Sequence, residues 1–170
     1  MTFIAGPYTA TYTPPSGSAL ALGITQDGFD LEWMQHGDII RGENLGDTTQ
    51  DGVWRGHDCY LEMLCEEFDA AALYGAHTSA ASAMWPGSTY FGRHGQVGRL
   101  FSALAGSLIL TRVSSATGAT PTTLTAGKAI LANGHVVRTK MATRLKTVPL
   151  RFLLLPYLDA SSNTVQFVSS

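Results

Sequence analysis

The clearest order in the chain is an alternation of apolar and polar side chains at a spacing of two, the mark of strands with one buried face. In Gly28 to Met34, Phe29, Leu31 and Trp33 point one way, Asp30 and Glu32 the other. From Asp58 to Glu66, Cys59, Leu61, Met63 and Cys65 oppose Asp58, Tyr60, Glu62 and Glu66. A third segment, Val136 to Lys146, sets Arg138, Lys140, Arg144 and Lys146 against Val137, Met141 and Leu145, giving a basic stripe. Further strands are expected at Ala19 to Thr25, Ser107 to Val113, Lys128 to Ala132, Val148 to Leu155 and Thr164 to Val168.

Turn chemistry punctuates these segments at Pro14-Pro15-Ser16-Gly17, Asp27-Gly28, Asp51-Gly52, Pro86-Gly87, Asn133-Gly134 and Ser161-Ser162-Asn163. Short strands between regularly spaced turns predict a mainly β domain of sandwich or barrel type. One helix is expected after the acidic strand. Glu66, Glu67 and Asp69 suit a helix N-terminus, and Ala70 to Tyr74 are mostly good helix formers, with Phe68, Ala72 and Ala76 on one stripe. Residues 75–98 are rich in Gly, Ala, Ser and His without a period and read as a long loop, the kind of segment a partner often orders. In residues 1–17, Gly6-Pro7 and Pro14-Pro15 predict an N-terminal arm without a regular element.

Composition narrows the class. The chain's 170 residues fit one domain, large enough to bury a core without metal or disulfide staples. Charged residues make up 14%, against roughly 25% in typical soluble chains, so the surface is unusually easy to desolvate against neighbours. Residues 1–85 hold twelve acidic side chains against two basic ones, Arg41 and Arg55, whereas residues 86–170 hold nine basic against one acidic, Asp159. The halves either pair within one molecule or present an acidic face to the basic face of the next copy.

The N-terminus lacks a signal-peptide pattern. The longest apolar run, Phe152 to Leu158, contains Pro156 and falls far below the ~20 residues that span a bilayer. Cys59 and Cys65, six apart on one strand, would have Cα atoms about 20 Å apart, beyond the ~7 Å limit for a disulfide. Free, packed thiols are expected.

Catalytic and metal-binding patterns are sparse. Asp47 to Gly52 with Asp58 at the twelfth position approaches a calcium loop, but Thr49 and Arg55 occupy ligand positions and Asp58 opens a strand, so an Asp-Gly turn is the simpler reading. His36, His57, His77, His94 and His135 show no ligand spacing, and no nucleophile is fixed beside them. The adjacent Glu66 and Glu67 do not face each other on a helix. The basic stripe invites a nucleic-acid reading, yet no aromatic residues interleave with it and the chain is net acidic. Neither an enzyme nor a cofactor is expected. Trp33, Trp54 and Trp85 could stack on sugars in a ligand- or carbohydrate-binding β-sandwich, but they share no spacing and core packing is the simpler use.

Three stretches carry a family resemblance: Leu22-Gly23-Ile24-Thr25-Gln26-Asp27-Gly28-Phe29-Asp30-Leu31; Gly46-Asp47-Thr48 running into Asp51-Gly52-Val53-Trp54-Arg55-Gly56-His57-Asp58-Cys59; and Val148-Pro149-Leu150-Arg151-Phe152 with Pro156. In pattern and order, over residues 20–75 and 100–156, the chain resembles the tail tube (major tail) proteins of long-tailed bacteriophages. The resemblance implies a two-sheet β-sandwich or barrel-like domain with one flanking helix, an arm (1–17) and a loop (75–98) reaching neighbouring subunits. It implies hexameric rings stacked into a conduit for DNA ejection, in the virion tail after assembly in the host cytoplasm. Tail terminator, baseplate or tip, and tape measure proteins are the implied partners; DNA passes without specific binding, and no membrane is involved. On this reading Asp58, Glu62 and Glu66 are expected to face the lumen, and Arg138, Lys140, Arg144 and Lys146 to contact the next subunit or ring. A decoration, neck or baseplate protein, or a tube-like subunit of a contractile system, is the alternative within the same structural class.

Overall fold

A computed structural model describes residues 6–15, 18–41, 48–66, 100–134 and 147–170. In chain order they form strands β1 (Tyr8–Thr13), β2 (Leu20–Arg41) and β3 (Thr49–Cys65), one helical turn α1 (Phe101–Leu104), then β4 (Gly106–Arg112), β5 (Thr123–Leu131), β6 (Val148–Leu154), β7 (Tyr157–Leu158), β8 (Thr164–Val165) and β9 (Val168–Ser169). Seven strands share one sheet in the order β9-β5-β4-β1-β2-β3-β6. Its neighbours are antiparallel. β5 also pairs with β6 through Ala129↔Leu154, Ile130↔Leu153 and Leu131↔Phe152. Strands β1 to β6 therefore close into a barrel, and β9 lies along the first half of β5, at Thr125 and Leu124. β7 and β8 make a separate two-stranded hairpin. The mainly β, barrel-like fold expected from the turn spacing is what forms.

Period-two alternation is what fills the barrel. Tyr8, Ala10 and Tyr12 of β1, Cys59, Leu61, Met63 and Cys65 of β3, Leu108 and Leu110 of β4, and Val148, Leu150, Phe152 and Leu154 of β6 all point inward and are buried. Successive strand residues face opposite sides, so each strand gives one row to the core and one to the surface. Two phenols cross this interior with their polar ends satisfied. The Tyr12 hydroxyl accepts from the Gly106 N–H at 3.0 Å and donates to the Ala129 carbonyl at 3.3 Å, while its ring stacks on Phe152. Tyr8 donates to the Pro121 carbonyl at 2.8 Å and meets Phe29 edge-on. Cys59 and Cys65 are free and buried, as their spacing on one strand requires.

Several expectations need correction. Residues 8–13 are not an irregular arm: β1 sits between β2 and β4 in the sheet, with the prolines at its ends instead of inside it. Asp27-Gly28 is no hairpin turn but a bulge within β2, where Gln26 faces Leu64 and Phe29 faces Met63 on the same partner strand. Positive φ at Asp27 (59°) and Gly28 (90°) makes the local chemistry the same for either use. Asp51-Gly52 is also in strand, which removes both the expected turn and the calcium loop, since residues 49–58 run extended. The turns at Asn133-Gly134 and Ser161 to Asn163 form as expected, the latter held by Asp159, whose carboxylate accepts from the backbone N–H groups of Ser161 and Asn163. Apart from Glu66, which follows the acidic strand as a bend, the helix expected from Glu66 onward, the loop at 75–98 and the strand Val136 to Lys146 lie outside the described residues.

Candidate functional site

Two strands are much longer than the barrel needs. β1 covers β2 only from Leu20 to Ile24, and β6 covers β3 only from Cys59 to Cys65. Beyond those limits β2 and β3 continue as a two-stranded ribbon, paired among the described residues only with each other from Met34↔Asp58 to Arg41↔Thr49. A bulge between His36 and Gly37 bends it, with Gly56 at φ 127° in a conformation that suits glycine. Among the described residues no strand pairs with the outer edge of β2 from Trp33 to Ile40, or with that of β3 from Gln50 to Gly56. The ribbon also carries exposed apolar side chains, among them Ile39, Ile40, Val53 and Trp54. Its charges are matched locally, by an Arg55–Asp38 ion pair and a 2.9 Å His36 Nε2 to Asp58 Oδ2 contact.

The outward face at the ribbon's root is acidic. Asp30 stands opposite Glu62 across the β2–β3 ladder, with Glu32 and Asp58 on the same face. Like charges directly opposite are unfavourable. Arg151, opposite Glu62 on β6, relieves this by reaching across two strands: Nη2 donates to Glu32 at 2.6 Å, Nη1 meets Glu62 at 3.0 Å, and the guanidinium lies 4.4 Å from the Tyr60 ring centre. Three of the four carboxylates, Glu32, Glu62 and Asp58, thus meet one arginine and one histidine. Of the three carboxylates singled out from sequence, Asp58 and Glu62 lie on this face. Glu66 lies one residue beyond β3, its backbone N–H donating to the Ile24 carbonyl at 2.8 Å. The sequence reading passed over Asp30, Glu32 and Arg151 as members, although the alternation in Gly28 to Met34 had already placed the first two outward. Arg138, Lys140, Arg144 and Lys146 lie outside the described residues.

The opposite face of the ribbon continues the barrel's inner face past its rim. Trp33 pairs with Cys59 and Trp54 with Gly37, which puts both indoles on this side. They line an open cleft of about 410 Å³ against the segment from Pro156 to Phe167. Trp33 packs on Phe167 at 6.1 Å and Trp54 stacks on His57 at 5.9 Å. Both indoles remain largely exposed, at 49% and 66%, so the expectation that they pack in the core is corrected. The reason is strand length: they follow the inward alternation, but where no barrel remains to cover them.

Among the described residues no cluster of three or more His, Cys, Asp or Glu is placed to hold a metal, and no helix is long and apolar enough to cross a membrane. No family model and no curated protein matches the chain.

Proposed function

We propose that the chain is a structural virion protein, the tail tube subunit of a long-tailed bacteriophage, that self-assembles into stacked hexameric rings through which DNA is ejected. The observation that carries this reading is the ribbon: two long edges of different sequence, unpaired among the described residues and flanked by exposed Ile39, Ile40, Val53 and Trp54. An isolated two-stranded ribbon is only marginally stable in water, and unpaired edge groups recruit another strand. Because the β2 edge differs from the β3 edge, pairing one with the other is head-to-tail, the contact type that builds rings. The barrel body is closed on itself, which leaves the ribbon edges as the strands available for ring closure.

On this reading the acidic face carrying Asp30, Glu32, Asp58 and Glu62 lines the channel, where it repels the DNA backbone and lets it slide. The stripe Arg138, Lys140, Arg144 and Lys146 meets the next subunit or ring. The test is sizing at rising concentration with negative-stain microscopy. Wild type is expected to give long hollow filaments, and Val53→Asp with Ile39→Asp a folded monomer, since both side chains are exposed. Filaments from that variant would overturn the ribbon's role. Discrete particles from wild type, without filaments at any concentration, would favour a decoration, neck or baseplate part.

A further inference from the structure

The cleft beside the ribbon has its own chemistry. Among its lining residues are Trp33, Trp54, His57, Thr164, Gln166 and Phe167, and among the described residues the lining contains no Asp, Glu, Lys or Arg. A charged ligand would therefore find no counter-charge. A greasy small molecule needs a pocket that encloses most of its surface, and this cleft is broad and open to solvent. What it offers is two exposed indole faces, each steadied by a ring behind or beside it, with uncharged hydrogen-bonding groups between them. Gln166 is fixed by its amide nitrogen, which donates to the Leu154 carbonyl at 3.3 Å and to the His57 carbonyl at 3.5 Å. Those bonds leave the amide oxygen's acceptor capacity in hand. Trp54 stands opposite Gly37, four residues along β2 from Trp33, so the two roots are ~13 Å apart at ~3.3 Å per residue. That separation suits an extended ligand that meets both platforms.

We propose that this cleft binds a neutral oligosaccharide. The apolar C–H faces of successive pyranose rings stack on Trp33 and Trp54, and their hydroxyls exchange hydrogen bonds with Gln166, His57 and Thr164. The cleft lies on the ribbon face opposite the acidic one, and strand pairing along the ribbon's edges leaves both faces open. The site thus does not depend on the tube reading. In an assembly it would be displayed once per subunit, so that weak single-site binding gains from repetition.

The test is a titration of the purified chain with maltohexaose, cellohexaose and N-acetylchitohexaose separately, up to about 10 mM, following tryptophan emission. A saturable change with at least one sugar is expected. Trp54→Ala and Trp33→Ala should each weaken it by about tenfold or more, as truncating an aromatic anchor does, with circular dichroism unchanged because both side chains are exposed. Trp85 contributes the same background to both variants. Flat titrations with all three sugars overturn the proposal, as does a response that survives in both variants. A concentration-dependent blue shift without sugar, which none of the three reverses, also overturns it and assigns the cleft to a second copy. Filament formation is read separately, by microscopy.

Discussion

At the scale of single residues, the barrel interior is held by polar groups that have no second choice. The Tyr12 phenol is buried and is the partner of both the Gly106 N–H and the Ala129 carbonyl. Tyr12→Phe keeps the ring on Phe152 but strands the Gly106 donor in the core, where an unmade hydrogen bond costs about 1–3 kcal/mol. Urea unfolding should register a loss of that size, with an unchanged denaturant slope. The two thiols make a prediction of opposite character. Burial pushes Cys59 up to about 11 and Cys65 up to about 12, from an ordinary value near 9.0. A folded-state value raised above the unfolded one means the unfolded chain loses its protons first. The contribution is fully present below about pH 9 and is lost as pH climbs towards 11 and 12. Burial also raises Tyr8 and Tyr12, which adds to the same trend. Thermal midpoints measured from pH 8 upward should fall progressively, and a thiol reagent at pH 8 should label neither cysteine until urea unfolds the chain.

At the scale of elements, what the sequence revealed depended on whether the deciding interaction was local. The strands around Leu61 and Leu150 were legible because alternation is a local property and both strands stay within the barrel wall, one face inward and one outward. β1 was equally legible in principle: Tyr8, Ala10 and Tyr12 alternate with Thr9, Thr11 and Thr13, a pattern masked by the prolines that bound it. Asp27-Gly28 could not be settled locally, because the same positive-φ pair serves a turn or a bulge, and only the continuing ladder with Met63 and Leu64 decides. The ribbon was illegible for a related reason. Nothing in Met34 to Ile40 says that the strand outruns its cover, so Trp33 was read as core and Asp51-Gly52 as a turn. Its energetics carry a prediction. With few buried contacts and two open edges, backbone amides of residues 34–40 and 50–57 should exchange with solvent far faster than those of 59–65, which share a pairing partner on each side. If the ribbon makes the proposed head-to-tail contact, its amides should become protected on assembly while those of β4 and β5 change little. Hydrogen exchange of monomer and filament distinguishes this from a contact made by the barrel wall.

At the scale of the whole molecule, the split of charge along the chain is partly resolved by pairing within the barrel wall. Arg151 from the basic half neutralises part of Glu32 and Glu62 from the acidic half, so internal pairing is real. It is also incomplete: Asp30 and Asp58 share that face, and the ion-pair contact described for Asp58 is with His36 and not with a cation of the basic half. A net negative wall is what a channel for DNA requires, because cations there would release counterions from the phosphates and hold the duplex. Replacing Asp30→Lys together with Asp58→Lys changes the face by four charges per subunit while leaving the barrel core and the ribbon edges untouched. If this face lines the lumen, wild-type filaments should not retain short duplex DNA, whereas filaments of the double variant should do so at low salt. The log of their affinity should fall with the log of salt, with a slope of roughly −0.9 for each phosphate neutralised. Cosedimentation across a salt series measures both quantities. Equal retention by the two kinds of filament would place the acidic face away from the channel, because a surface that DNA never meets cannot alter how tightly it is held.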